Sequence, residues 1–326
     1  MAPDSSGMIV ITGADGFVGS ALVTHCVATG RSHVAVVRGS SAEVAKSPYR
    51  AQIDDLATAS DAALDAIVGG ASAVVHLAGR AHVLAETASD PAALYRAANV
   101  VALERLAAAA VRGGVRRFVL ASTIKVHGES TVPGRPFRVS DTLNPQDVYA
   151  RSKQEAETRL DTIAAGTSLE PVVLRLPLVY GPRVKGNFLT LMDAVARGAP
   201  LPFGRIENRR DLLYVGNLVH AIVALIDAPA SVAGAWLVAD GEAVSTAELA
   251  RRIAAALDVP PRVLNVPKSL VVLAAKATGR GAMIARTVES LEVDASPLAD
   301  RIGPPFFTLD RGLAATAAWW KLRHSI

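Results

Sequence analysis

The chain is short of sulfur, of aromatic rings and of long apolar runs. A single cysteine, Cys26, stands among 326 residues, so there is no intrachain disulfide and no cysteine-rich metal centre. It falls in an apolar stretch where a buried structural thiol is expected. Aromatics make up only 5% of the chain, which leaves Ala, Val and Leu to build the core. No basic run is interleaved with aromatic residues, and the formal net charge is a modest +4. That argues against nucleic acid as a partner, while a slight positive excess suits small anionic ligands. The apolar stretch 270–275 is stopped by Lys276 and is too short to span a bilayer. The opening residues MAPDSSG have neither a basic n-region nor a long apolar segment, so no signal peptide is expected. No internal repeat or low-complexity linker is visible. With 51% hydrophobic residues, the length accommodates one large α/β domain plus a smaller one. A soluble, cytoplasmic protein is expected.

What is present is concentrated at residues 8–19, MIVITGADGFVG. A β-branched run (Ile9, Val10, Ile11) reaches Thr12 and then Gly13, Gly16 and Gly19, after which the pattern turns helical. Such a strand, tight turn and helix start offers bare backbone N–H groups and a positive helix end to a phosphate. Gly13 suits the turn, Gly16 the close approach of a pyrophosphate, and Gly19 the packing of helix on strand. Asp15, Phe17 and Val18 fall inside the same turn and helix start.

Further strand signals follow at 33–37 (HVAVV), 73–77 (AVVHL), 117–121 (RFVLA) and 171–176 (PVVLRL). Continuous apolar runs of this kind fit parallel strands buried on both faces. Helical segments at 20–29, roughly 91–112 and 149–165 separate them. This alternation predicts a doubly wound parallel sheet with right-handed crossovers. From about residue 183 to 211 Gly, Pro, Arg and Asn are frequent and regular alternation stops. Helices are expected again at 217–227, 246–257 and 269–278, with a strand at 235–238 returning to the first sheet. The expected division is a nucleotide domain over 1–182, rejoined by 211–240, and a smaller, discontinuous domain from 183–210 and 241–326.

Tyr149 and Lys153 are four residues apart in VYARSK, at a helix start, which puts both on one helix face. A tyrosine hydroxyl is a poor acid–base at its free pKa near 10. A neighbouring ammonium, together with the positive ring of an oxidised nicotinamide, favours the phenolate. Tyr149 then removes a proton from a hydroxyl as hydride leaves the same carbon. Lys153 is also placed to hydrogen-bond the nicotinamide ribose. Ser122 and Thr123 directly follow the strand RFVLA, at the end that faces the ligand crevice of an open α/β sheet. One of these hydroxyls is expected to orient the reacting oxygen.

TGADGFVG, HLAG at 76–79, STIKVHG at 122–128, YARSK and RLPLVYGP at 175–182 occur in order. Together they resemble the extended short-chain dehydrogenase/reductase family, and within it the nucleotide-sugar epimerases and reductases. The resemblance implies a Rossmann domain holding NAD(P) and a smaller domain holding a nucleoside-diphosphate sugar, with UDP as the expected nucleotide. It assigns catalysis to Thr123, which lies five residues before the glycine of the family's Val-Tyr-Gly segment, together with Tyr149 and Lys153. In cofactor binding it groups the glycine turn with Asp55 and Leu56, an acidic–apolar pair near adenine preceded here by Asp54 where a glycine is usual. Leu77, Ala78, Gly79, Asn99, Ser122 and Pro177 complete that set, although a structural role suits Pro177, and Tyr180, better. It places Lys125, Asn187 and Arg210 near the substrate with Thr123. His127 replaces the family tyrosine, and contact with sugar and local support of the loop are both open. It also implies a homodimer through the helices 99–112 and 149–165, whose alanine-rich face permits close approach.

Two departures from the family pattern are informative. Where sugar 4,6-dehydratases place an Asp-Glu pair after the catalytic Thr, this chain has Ile124 and Lys125, which argues against water elimination. At the end of the second strand, where an acid would bind the ribose of NAD, stands Arg38. An arginine there pairs with the 2′-phosphate of NADP or stacks on adenine, so NAD and NADP stay open with a lean to NADP. The resemblance is strongest to enzymes of the UDP-glucose 4-epimerase type. The alternative is a reductase of UDP-4-keto-6-deoxy sugars that consumes NADPH for surface polysaccharide assembly. A non-catalytic dinucleotide sensor or scaffold would be expected to lack the Tyr/Lys pair or the hydroxyl, and all three are present.

Overall fold

A computed structural model describes residues 7–39, 44, 47–81, 89–277, 284 and 287–324. Its main sheet has seven strands: β1 (Ile9–Thr12), β2 (His33–Val37), β3 (Arg50–Gln52), β4 (Ala73–His76), β5 (Arg117–Thr123), β6 (Glu170–Leu176) and β9 (Gly234–Leu237), in the order β3-β2-β1-β4-β5-β6-β9. β1 pairs in parallel with β2 on one side and β4 on the other, and β2–β3, β4–β5 and β5–β6 are parallel as well. The chain therefore reverses direction of winding at β1, which opens a crevice at the C-terminal ends of β1 and β4. This is the doubly wound α/β sheet expected. A further parallel pair joins β7 (Leu178–Tyr180) to β8 (Leu212–Tyr214).

Two compact units are distinguished. The first comprises Met1–Val126, Leu143–Leu176 and Val219–Trp236, and the second His127–Thr142, Pro177–Leu218 and Leu237–Ile326. The crossing points differ from the sequence division: 127–142 and 177–182 fall in the second unit, as do 211–218 and 237–240.

In the first unit a core fills one face of the sheet. Val10, Val74, Phe118 and Leu120 point into it from the strands. Against them lie α2 (Asp61–Val68), α4 (Ala102–Arg112) and α5 (Val148–Ala164) through Leu64, Leu103, Leu106 and Leu160. The alanine-rich face of α4 (Ala102, Ala107, Ala109, Ala110) is buried in this same core. It is therefore spent inside the unit, which corrects the expectation that it lies open to a second copy. Helix α1 (Phe17–Thr29) buries Cys26, as expected, and burial pushes its thiol up to about 11. Arg117, 1% exposed, reaches Glu170 at 2.7 Å and the carbonyls of Leu225, Ile226 and Ala230 at the end of helix α7 (Val215–Asp227). A buried guanidinium with this many acceptors is satisfied, and it pins the helix end to the sheet.

The helix expected at 91–112 is interrupted. α3 (Pro91–Arg96) passes through a π-helical turn, Ala97–Val101, before α4 resumes. Such one-turn widenings recur at functional sites, and this one contains Asn99. The segment 183–211 also differs from expectation, because α6 (Gly186–Ala196) lies within it. Phe188, Met192 and Val195 repeat at helical spacing and are buried, a signal masked in the sequence by the surrounding glycines and arginines. In the second unit Tyr180 is fully buried, stacked on Phe188 and tilted against Tyr214, the structural role open to it from sequence. No helix among the described residues is long and apolar enough to cross a membrane.

Candidate active site

The glycine turn is built by close backbone approach. Gly13 adopts φ +65°, and a Cβ there would sit 2.7 Å from the backbone nitrogen of Ala78. The turn is thereby held against the segment that leaves β4, and the Leu77 N–H donates to Thr12 O at 3.2 Å. A Cβ on Gly19 would press on the Gly13 carbonyl and lie 2.8 Å from Ala14 Cα. Gly16 caps α1 with no side chain, and the first intrahelical bond is Ser20 N–H to Gly16 O. The N–H groups of Phe17, Val18 and Gly19 precede that bond, at the positive end of the helix.

Beside this turn lies a cleft of about 490 Å³, within the range of small-molecule and cofactor sites. Its walls include the expected Gly13, Asp15, Gly16, Arg38, Asp55, Leu56, Leu77, Ala78 and Gly79, and also Asp54 and Arg80. Arg38 is exposed at the end of β2. Asp55 shapes its own loop by accepting the Ala57 N–H at 2.8 Å. Gly19 lies under the turn, and Asn99 works from behind the wall. Its side-chain oxygen accepts the Arg80 N–H at 2.8 Å, and its amide donates to Arg80 O at 3.1 Å and to Ser152 Oγ at 2.9 Å. Ser152 donates in turn to Tyr149 O at 2.8 Å. The buried asparagine thus ties the loop after β4 to α5 with its polar atoms satisfied. Arg80 and Ser152 were not singled out in the sequence. The signal available was their position, one beside HLAG and the other inside YARSK.

Asp147 starts α5 by accepting the Ala150 N–H at 2.7 Å, which sets Tyr149 and Lys153 in the first two turns. Lys153 is buried and donates to Ala121 O at 2.9 Å. Burial pulls its amine down to about 8, opposed by the charge of Glu157. Burial pushes the Tyr149 phenol up to about 12, and a hydrogen bond from Thr123 pulls it back. The Tyr149 ring packs against Tyr95, centroids 6.0 Å apart, with the Arg80 guanidinium over the other ring at 5.3 Å. Thr123, Tyr149 and Lys153 are therefore brought together at the C-terminal end of β5. Ser122 is adjacent in sequence, but its hydroxyl donates to the buried Glu157 carboxylate. Lys125 pairs with Asp147 at 2.9 Å. His76 is buried with Nδ1 2.8 Å from Thr12 Oγ1, and burial followed by the Lys153 charge drops it to about 3, so it stays neutral.

The remaining expected residues lie in the second unit. His127 is buried and stacked on Phe137 at 5.4 Å. Asn187 is exposed in the first turn of α6. Arg210 donates to Glu289 O at 2.9 Å, and burial lowers its pKa against the pull of Glu129 and Glu289. Its neighbour Asp211 is a fastener, accepting the Val293 N–H at 2.8 Å. Pro177 is buried directly after β6.

A glycine turn and helix end at the switch point of a parallel sheet, with a Thr/Tyr/Lys cluster at a strand end, define the short-chain dehydrogenase class of α/β proteins. The NAD dependent epimerase/dehydratase family model matches residues 9–239, and the chain belongs to that family. It is 40% identical over 312 residues to a UDP-glucose 4-epimerase of Vibrio cholerae, covering 95% of this chain and 94% of the relative. Among solved structures, MoeE5 in complex with UDP-glucuronic acid and NAD is similar with a TM-score of 0.77 and 27% identity, covering 98% of this chain and 100% of that one. A UDP-glucose 4-epimerase of Thermotoga maritima, solved with UDP-glucose, superimposes with a TM-score of 0.78 at 21% identity over 97% and 99% of the two chains.

Proposed function

We propose that the protein is an NAD(P)-dependent epimerase acting at C4 of a nucleotide sugar, with a UDP-linked hexose as substrate. The observation that carries this is the Thr123–Tyr149–Lys153 cluster beside the glycine-turn cleft, in a chain 40% identical to a UDP-glucose 4-epimerase over almost its whole length. The glycine turn fits a dinucleotide, because bare backbone lines the cleft where a Cβ would collide. Gly13, Gly16, Leu77, Ala78 and Gly79 would hold it, with Arg38 and Asp55 toward its adenosine end. When bound, that group accepts and returns the hydride of the sugar C4–H.

The chain's own residues manage the proton. Tyr149 removes it from the C4 hydroxyl as the hydride leaves, producing a 4-keto sugar, and restores it when the hydride returns to the opposite face. Burial alone holds the phenol neutral, so positive charge nearby is required, and Lys153 supplies it at neutral pH. Thr123 donates to the same oxygen and orients it. No carboxylate follows Thr123, since Ile124 is buried and Lys125 is paired with Asp147; water elimination from the sugar is not supported. In this reading the first unit holds the cofactor and the second the nucleotide sugar, with His127, Asn187 and Arg210 as its contacts.

The test is to incubate the purified protein with UDP-glucose, UDP-galactose and their N-acetyl counterparts and follow the anomeric protons by NMR. Interconversion of one C4 pair without net consumption of cofactor is expected. A second reading is favoured by Arg38, exposed at the cofactor cleft where it suits a 2′-phosphate: a 4-keto-sugar reductase would consume NADPH stoichiometrically and leave all four sugars unchanged. Mass spectrometry of co-purified NAD or NADP separates the cofactors. The same reading includes a cytoplasmic homodimer. Its helices would meet through the outer faces of α4 and α5, because the alanine face of α4 is used internally. A 34 kDa species alone in light scattering at micromolar concentration would remove the dimer.

A further inference from the structure

One buried charged group lies next to the Tyr149/Lys153 pair and has no part in the mechanism above. Glu157 follows Lys153 by four residues on α5, so the two share a helix face. It is 5% exposed. Arg175 on β6 grips it, with Nη2 2.8 Å and Nε 3.1 Å from Oε2, and the Ser122 hydroxyl on β5 donates to Oε1. Lys153 itself is anchored one residue earlier on β5, at Ala121 O. A carboxylate held from two strands, one helical turn along from a buried ammonium, is costly to build. Both partners, Arg175 and Ser122, are themselves buried, so the arrangement is not a surface ion pair.

We propose that Glu157, clamped by Arg175 and Ser122, is a positioning residue for Lys153: it supplies the negative charge that keeps the buried amine protonated and directed at the reacting centre. This rests on the reading of Tyr149 and Lys153 as the acid–base pair. The other groups facing Lys153 cannot do the same work. Tyr149 on its own helix is neutral, His76 on β4 is neutral, Asn99 and Thr123 are uncharged, and Arg175 is a cation already satisfied by Glu157. Burial brings the Lys153 amine down to about 8 even with Glu157 opposing it. Without the carboxylate the amine would be neutral at working pH, and Tyr149 would lose the charge that favours its phenolate.

The experiment titrates Lys153 directly in the full-length protein. The chain has seven lysines, so a [13Cε]lysine NMR spectrum is sparse, and Lys153→Arg identifies the signal. In the wild type about half of Lys153 is expected to be charged at pH 8. In Glu157→Gln that fraction should fall to roughly a tenth or less, and the alkaline limb of the kcat profile should move toward lower pH. Glu157→Asp keeps the charge and should restore most of both, which a merely steric role would not produce. If Glu157→Gln is too unstable to study, Arg175→Gln leaves the carboxylate in place and should raise the charged fraction at pH 8. An unchanged Lys153 titration in a folded Glu157→Gln protein overturns the proposal. An inactive wild type whose Lys153 still responds to Glu157 would instead count against the epimerase reading alone.

Discussion

A methyl group at Gly19 sets two known effects against each other. The residue lies in the first turn of α1, where alanine is favoured over glycine by ~1 kcal/mol on helix propensity. A Cβ there, however, would stand 2.8 Å from Ala14 Cα and from the Gly13 carbonyl carbon, and closer still to its oxygen. Carbon atoms in contact need about 3.5–4.0 Å, so the turn and helix must part by roughly 1 Å. Nothing in the way is a flexible side chain, and overpacking of this kind costs ~1–3 kcal/mol. The Cβ would stand well inside contact distance of backbone atoms alone, which puts the clash at ~2–3 kcal/mol, the upper part of that range; less the propensity gain, Gly19→Ala should lose ~1–2 kcal/mol of stability. The displacement falls on the turn that faces the cleft, so cofactor affinity should drop by at least ~10-fold, or ~1.4 kcal/mol. Gly69→Ala is the control: φ is −55° and its nearest neighbour, Asp65 O, is 3.4 Å from the added Cβ. It should stay within ~0.5 kcal/mol of the wild type. Urea unfolding followed by circular dichroism, with fluorescence titration of NAD and NADP, reads both quantities. If Gly19→Ala matches Gly69→Ala in stability and binds cofactor like the wild type, the close-approach argument fails.

Tyr149→Phe should retain cofactor binding and lose at least ~10²-fold in turnover; comparable turnover would remove the phenol from the chemistry. Arg38→Ala should weaken NADP and spare NAD, whereas equal loss for both would sink the phosphate-pairing argument. Asn99→Ala deletes three hydrogen bonds and leaves both backbone groups of Arg80 without those partners, which should cost ~2–4 kcal/mol; a loss below ~1 kcal/mol in urea unfolding would show that the loop is held elsewhere. Burial raises the Asp211 carboxyl to about 6, above its unfolded value, so the folded protein binds the extra proton between about 4 and 6. Its contribution is complete below that window and is lost as pH rises through about 6. Asp211→Asn should flatten the fall in urea midpoint between pH 4.5 and 7, and an unaltered slope would assign the dependence to another group.

Much of the site was legible because its residues act locally. The glycine spacing, the strand before it and the helix after it lie within a dozen residues. Tyr149 and Lys153 are joined by helix periodicity alone. The Ser122/Thr123 pair follows from its place at a strand end, and the family resemblance picks Thr123 from it. The residues that support them were not legible. Glu157 and Arg175 read as ordinary charged positions, and nothing local says that one meets the other in a buried pair. Asn99 had a place by resemblance, but its grip on Arg80 depends on a π-helical turn that no propensity announces. The helix at Gly186–Ala196 was hidden because glycine and arginine around it outweighed a short apolar repeat.

Residues close together along the chain fix the alternation of strands and helices, the phosphate-facing turn and the type of chemistry. Strand order and packing settle which hydroxyl of Ser122 and Thr123 faces Tyr149, where the alanine face of α4 is buried, and which carboxylate is clamped one helical turn from Lys153. Those outcomes depend on strand order and burial, and desolvation changes a side chain's charge and partners only once distant segments have closed around it.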